Sequence, residues 1–490
     1  MEKIEYVALY GYELLHEGIL ALADIEQNGI CIDVDYCKTQ YAHIERKENY
    51  LRNKLLQTEQ YQWCQKKYGS KFNMNSDDQL RDILYKYMNL PIKNKTKSGN
   101  GAVSEEALDA LNVPFAKDLV QLRRYEKARN TYLKNIIDES VEGLLHPFFN
   151  LHTTTTFRSS SHSPNFQNIP IRQPEIKKMI RRAFIPRQNH LLVELDYSGI
   201  EVRGAYCYHK DPNMYDEITN PKRDMHRDMG MECYMVELQD MTRELRQRGK
   251  NSFVFPEFYG SYYAQVAKDM WFFIESEHLE TARGVPLFEH LAKKGIKTYE
   301  QFENHIKKVE DRFWNQRFPV YNKWRQDWYK KYLERGWFDT LTGFRLEGDF
   351  SRNDVINYPV QGSSFHCLLW SVIHVNKELK ARKMDSHIVG QIHDSMILDV
   401  HPDEFNKVMF IVHRIMTQQI RKVWDWIIIP LEVEADVSPV NGSWYEKKEV
   451  KKHQCVCGCQ WMYESKLQDA KGKEYECPLC GEKYEELEDE

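Results

Sequence analysis

Long stretches of helical periodicity alternate in this chain with a few short, unbroken apolar runs. Apolar residues recur at helical spacing from about Glu13 to Leu55, with a stop at Gly29, after which GICIDVD alternates as a short strand. Residues 70–112 predict a small helical unit with loops, in which Ser76 caps one helix ahead of two acids and Ser104 opens another. Residues 117–138 predict a long amphipathic helix with a basic face. The helical signal then stops: LHTTTTFRSSSHSPNFQNIP is hydroxyl-rich and β-rich, with Arg158 among small polar residues. Residues 204–336 are helical again and rich in aromatics. Residues 337–365 return to a strand–turn pattern with Gly343 in the turn. Asn353, Asn357 and Gln361 follow four apart, but Pro359 argues against one continuous helix through all three. An amphipathic helix from about Asp403 to Trp424 and a strand, PLEVEADV, complete the periodic part.

Two of the apolar runs end on an aspartate. HLLVELDYSGIEVR, His190 to Arg203, is long enough for a buried strand and delivers Asp196 at its end. HIVGQIHDSMILDV, residues 387–400, predicts a hairpin whose polar tip is His393, Asp394 and Ser395. A carboxylate at the end of a buried strand is costly unless a cation or donors meet it. The bland alternative is an aspartate that caps the following helix. If the fold brings both tips together, each carboxylate raises the other's pKa unless divalent cations lie between them.

The cations are placed to suit an anion. Arg246 and Lys250 are four apart and share a helix face, where their repulsion is relieved by a group such as a triphosphate. Phe253, Phe255, Phe258 and Tyr259 follow directly and offer a base-stacking surface. Lys93, Lys95 and Lys97 sit in a polar loop that suits either a phosphate backbone or solvent. Lys177, Lys178, Arg181 and Arg182 cluster ahead of the first strand.

Composition narrows the class. The 490 residues are 42% hydrophobic and 13% aromatic, enough for two to four domains. No run of about 18 apolar residues predicts a transmembrane helix, and the N-terminus has no signal-peptide pattern, so a cytoplasmic protein with no membrane partner is expected. The net charge of −5 means that any nucleic-acid site must concentrate its basic residues in a cleft. Of 11 cysteines, Cys31, Cys37, Cys64, Cys207, Cys233 and Cys367 are scattered and read as reduced thiols. The other five, Cys455, Cys457, Cys459, Cys477 and Cys480, crowd the C-terminus; four of them are expected to hold one structural zinc, with His453 a weaker candidate.

Taken in order, DYSGIE, the R-x-x-x-K helix with its aromatic run and Tyr259-Gly260, and QIHDS resemble the three main motifs of family A DNA polymerases. TTTFRSSSHSPNFQNIP, Asp224–His226 and NYPVQG add to the resemblance, which covers about residues 13–446. It implies an α+β right-hand fold: a helical thumb (1–145), an antiparallel-sheet palm (146–203 and 337–448) and helical fingers (204–336), with a zinc ribbon and acidic tail (449–490). It implies primer extension with dNTPs on a DNA template, in a phage replicative enzyme, in the host cytoplasm. Asp196, the Tyr197 carbonyl and Asp394 would hold two magnesium or manganese ions, and Lys250 would protonate pyrophosphate. Arg246 and His226 would grip the triphosphate, Glu201 would exclude a ribose hydroxyl, and Phe255 and Tyr259 would stack near the nucleotide. Arg158, Asn357, Gln361 and His393 would contact primer–template DNA.

The departures carry expectations too. Gly199 stands where the family usually has Gln, Ser395 where it has Glu, and Asn353 where it often has Arg. One extra residue lies between Lys250 and Tyr259, which with Pro256 predicts a π-bulge or kink. No Asp-x-Glu motif precedes the thumb-like part, so no 3′–5′ exonuclease is expected, and proofreading would come from a separate subunit. Two other readings compete: a single-subunit RNA polymerase, opposed by Glu201 and QNIP, and a silent DNA-binding subunit, opposed by the two aspartates with Arg246 and Lys250.

Overall fold

The computed structural model describes residues 5–92, 95–96, 98–171, 173–277, 279–454 and 460–463. Its organising layer is a five-stranded antiparallel sheet. The strands are β1 (Leu191–Tyr197), β2 (His387–Ile392), β3 (Ser395–Val400), β4 (Val433–Val437) and β5 (Lys448–Glu449), in the order β5-β4-β1-β3-β2. β1 takes the centre because Leu191, Leu192, Val193, Leu195 and Tyr197 are all buried, so both of its faces need cover. The β2–β3 hairpin forms as its two apolar runs around a polar tip predict.

The helix Arg352–Ala381 packs against this layer and is buried over most of its length. It runs straight through Pro359, against the expectation of a break. Proline has no N–H to give the Val355 carbonyl, but the Trp328 indole Nε1 donates to that oxygen at 3.0 Å. The Tyr208 hydroxyl donates to the carbonyl of Pro359 itself at 3.0 Å. The break is avoided because tertiary partners take up what the proline leaves.

The N-terminal helix Gly11–Asn28 lies on this same helix, so closely that a Cβ on Gly18 would fall 2.9 Å from Leu369. Val34–Leu56 packs against Pro114–Lys127, and Arg129, just past the end of that helix, ties its Nε to Glu48 Oε2 at 2.7 Å. The predicted strand after Gly29 is Ile30–Ile32, which sits between Leu144–Leu145 and Phe184–Ile185. The predicted 117–138 helix starts at Pro114 and passes through a π turn at Ala128–Leu133 to end at Glu139. These elements share one apolar core with the sheet. A second core, built on Met229, Phe253, Trp271, Phe302 and Phe313, organises residues 205–321.

Among the described residues, no helix is long and apolar enough to cross a membrane. The six scattered cysteines are free thiols. Lys451–Gln454 pairs with Gln460–Tyr463, but Cys455, Cys457, Cys459, Cys477 and Cys480 lie outside the described residues. So do Lys93 and Lys97, while Lys95 is exposed.

Candidate active site

The sheet brings the two aspartates together. β1 and β3 pair with Asp196 opposite Ser395, and the Tyr197 N–H donates to the Asp394 carbonyl at 3.3 Å. Both side chains face one cavity of about 460 Å³, whose other walls carry Arg158, Glu201, Lys250, Phe255 and Tyr259. Burial, then the charges of Asp394, Glu194 and Glu434, push Asp196 up to about 7. Burial pushes Asp394 up to about 6, against the pull of the Arg158 guanidinium. Two carboxylates that converge on one open cavity, with Asp196 exposed to it, offer hard oxygen donors of the kind a divalent metal takes.

The hairpin tip is braced by a residue that sequence reasoning passed over. His393 sits at φ +49, and Gln391 Nε2 donates to its carbonyl at 2.7 Å. Gln391 Oε1 in turn accepts from Ser159 Oγ at 2.6 Å and Gln167 Nε2 at 2.8 Å, both in the hydroxyl-rich segment. The signal was there: a buried amide inside an apolar strand needs partners. Ser395 donates to Glu194 Oε1 at 3.3 Å, and Glu194 also accepts from Trp444 Nε1 at 2.7 Å and pairs with Lys447. A carboxylate thus lies beside Ser395 after all, supplied by β1. The Tyr197 hydroxyl is buried on Ser371 Oγ at 2.9 Å and the Met416 carbonyl at 2.8 Å, so its phenol anchors the strand away from the cavity.

The cation-bearing helix shows the expected irregularity. Arg243–Arg248 continues into a π segment, Gly249–Val254, and then the turn Phe255–Phe258. The wider turn absorbs the extra residue and returns Phe255 to the face of Lys250, whose Nζ lies 5.1 Å from the ring centre. Gly249 permits the helix to cross Met225–Tyr234 closely: a Cβ there would meet the His226 carbonyl at 2.7 Å and Gly230 Cα at 2.9 Å. The crossing puts His226 beside Lys250 and Arg246. Burial, then those two cations, lower His226 to about 4, so it stands neutral beside them. Arg246 Nε is held by Asp224 at 2.7 Å, and Asp224 also caps the His226 helix by accepting from Arg227 N at 3.0 Å.

Arg158 links the two halves of the cavity, reaching Glu201 Oε1 at 3.0 Å and Asp394 Oδ1 at 3.4 Å. The Tyr259 hydroxyl donates to the other oxygen of Glu201. Gly199, at φ +59, turns the chain from β1 into the helix Ile200–His209 and so places Glu201 on the wall. Asn357, Gln361 and His393 line the cavity as well, but the Asn357 amide is engaged by the Tyr259 carbonyl at 3.0 Å. Of the residues expected from sequence at the active site, Arg246 and His226 lie off its lining, one helix turn behind Lys250 and beside it, and Phe253, expected on the stacking surface, is instead fully buried against Phe313 in the second core.

This mixed helical and antiparallel-sheet body is the fold of a polymerase domain. It resembles the POL domain of Pol1 from M. smegmatis, solved in complex with DNA primer-template and dNTP, with a TM-score of 0.68 over 88% of this chain and 70% of that one, at 23% identity. The chain belongs to DNA polymerase family A, whose model matches residues 41–446. It is 30% identical over 396 residues to DNA polymerase I of Lactococcus lactis subsp. lactis, covering 78% of this chain and 40% of that protein. It is 27% identical over 373 residues to the DNA polymerase of Bacillus phage SP01, covering 71% of this chain and 37% of that protein. The chain therefore spans half or less of the length of these curated relatives.

Proposed function

We propose that the protein extends a primer 3′-hydroxyl with deoxynucleoside triphosphates on a DNA template, in a right-hand arrangement of thumb, palm and fingers, as a phage replicative enzyme. The observation that carries this reading is the placement of Asp196 and Asp394 at adjacent strand ends, facing Lys250, Phe255 and Tyr259 across one cavity. Asp196, the Tyr197 carbonyl and Asp394 would hold two magnesium or manganese ions, which supply activation of the hydroxyl and neutralisation of triphosphate charge.

The chain's own residues do the rest by position and charge. Lys250 and Arg246 meet the triphosphate, and Lys250 delivers a proton to the departing pyrophosphate. His226, neutral, contributes a hydrogen bond without adding a third charge. Phe255 and Tyr259 stack against the base pair being formed. Glu201 occupies the space a ribose 2′-hydroxyl would need. Arg158, Gln361 and His393 face the primer–template, and Arg158 must release Asp394 as the substrates enter.

Primer extension with magnesium tests the reading. Asp196→Asn and Asp394→Asn each lower the rate at least about a thousandfold, because charge stabilisation in the transition state is lost. Extension by either variant near the wild-type rate would sink it. For the tail, we propose one structural zinc on four of Cys455, Cys457, Cys459, Cys477 and Cys480. Metal analysis of the purified chain should find one equivalent, and none after Cys477→Ser with Cys480→Ser.

A further inference from the structure

The last carbonyls of a helix have no partner within it and must find one elsewhere. At the end of the Phe255–Phe258 turn the carbonyls of Phe255, Pro256 and Glu257 are met by the N–H groups of Tyr259, Ser261 and Gly260, while the carbonyls of Tyr259 and Gly260 lie beyond the helix and still need partners. Both are taken by amide side chains of a different helix: Asn357 Nδ2 donates to the Tyr259 carbonyl at 3.0 Å, and Asn353 Nδ2 to the Gly260 carbonyl at 3.1 Å. Asn353 and Asn357 are four apart at the start of Arg352–Ala381 and so share one face. The first two turns of that helix, capped by Ser351, fix their spacing.

The fit is close. Gly260 sits at φ +87, which favours glycine, and a Cβ there would displace the Asn353 amide, whose Oδ1 would lie 2.2 Å away. Tyr259 is then tied at both ends, its carbonyl to Asn357 and its hydroxyl to Glu201. Glu201 continues through Arg158 to Asp394.

We propose that Asn353 and Asn357 are positioning residues that latch the end of the helix running from Arg243 to Phe258, the nucleotide helix of the polymerase reading, onto the Arg352–Ala381 helix, and so set Tyr259 for the incoming nucleotide. Their amides serve protein carbonyls, not base edges. The proposal rests on the polymerase reading above for its functional half; the latch itself is a structural claim.

The test uses the full chain and the variants Asn353→Ala, Asn357→Ala and Asn353→Asp, the last equal in size but without the donor. In Asn353→Ala and Asn357→Ala, hydrogen exchange across residues 255–262 should quicken about fivefold, the equilibrium worth of one lost hydrogen bond. The dNTP KM should rise by a similar factor, about fivefold, with kcat within about twofold, the pattern of lost binding of the nucleotide. Affinity for primer–template without dNTP should stay within about twofold in all three, and Asn353→Asp should behave as Asn353→Ala. Weaker primer–template binding with unchanged exchange and KM would overturn the latch in favour of base reading. No change in any of the three would overturn it outright. Should the wild type fail to extend primers, the polymerase reading falls, while the exchange measurement still decides the latch.

Discussion

At the scale of single residues, the site is a balance of charges that only substrates would complete. Asp196 and Asp394 are pushed toward neutrality by burial, and Arg158 already spends its guanidinium on Asp394 and Glu201. Glu201 is the residue with most at stake: it accepts from both Arg158 and Tyr259 and forms one wall of the cavity. On the proposed sugar-excluding role, its removal would open space for a 2′-hydroxyl, and it would free Tyr259. Glu201→Ala should therefore raise ribonucleotide incorporation relative to deoxynucleotide incorporation by at least about tenfold, read from kcat/KM for the two. An unchanged ratio would remove Glu201 from sugar selection. The pairing of Ser395 with Glu194 belongs to this scale too: the carboxylate missing from the hairpin motif is present on the neighbouring strand.

At the scale of elements, two helices keep going where local rules would stop them, for different reasons. The nucleotide helix takes in one extra residue by widening to a π turn, which keeps Lys250 and Phe255 on one face. The extra residue and Pro256 made that legible in the sequence. Arg352–Ala381 passes Pro359 because Trp328 supplies the missing donor, and nothing near Pro359 in the sequence announces Trp328. Trp328→Phe should orphan the Val355 carbonyl and cost about 1–3 kcal/mol in denaturant unfolding. Pro359→Ala in that background should recover most of the loss by restoring the helical N–H. Equal stability of Trp328→Phe and wild type would show that water or another donor already serves the carbonyl.

At the scale of the whole molecule, a buried acid couples the nucleotide helix to the core behind it. Glu257 is fully buried, accepting from Trp314 Nε1 at 2.8 Å, while the Arg325 guanidinium lies 3.8 Å from the Trp314 ring centre. Burial, then the charge of Glu310, push Glu257 up to about 8, and burial raises Glu310 as well. The folded protein therefore holds a proton on Glu257 where the unfolded chain has released it. That stabilisation is complete below the ordinary carboxylate range and is lost as pH rises toward about 8. Glu257→Gln, which cannot ionise, should gain melting temperature over wild type as pH is raised from about 5 to about 8.5. A difference between the two that stays constant across that range would show Glu257 ionised throughout.

The sequence by itself singled out most of the charged and aromatic residues that meet at the cavity. Apolar runs ending in Asp196 and Asp394, a cation pair at helical spacing and an aromatic run behind it are local patterns, and local patterns survive in one dimension. It also determined β1, the β2–β3 hairpin and the π turn, since each follows from period, turn residues or a count of positions. Tertiary structure alone decided who partners whom: Trp328 with Val355, Gln391 with the hairpin tip, Asn353 and Asn357 with the end of the nucleotide helix. Those contacts join residues remote in sequence. Each answers a polar group stranded by burial or a helix end, and that need arises only once the chain has folded around it.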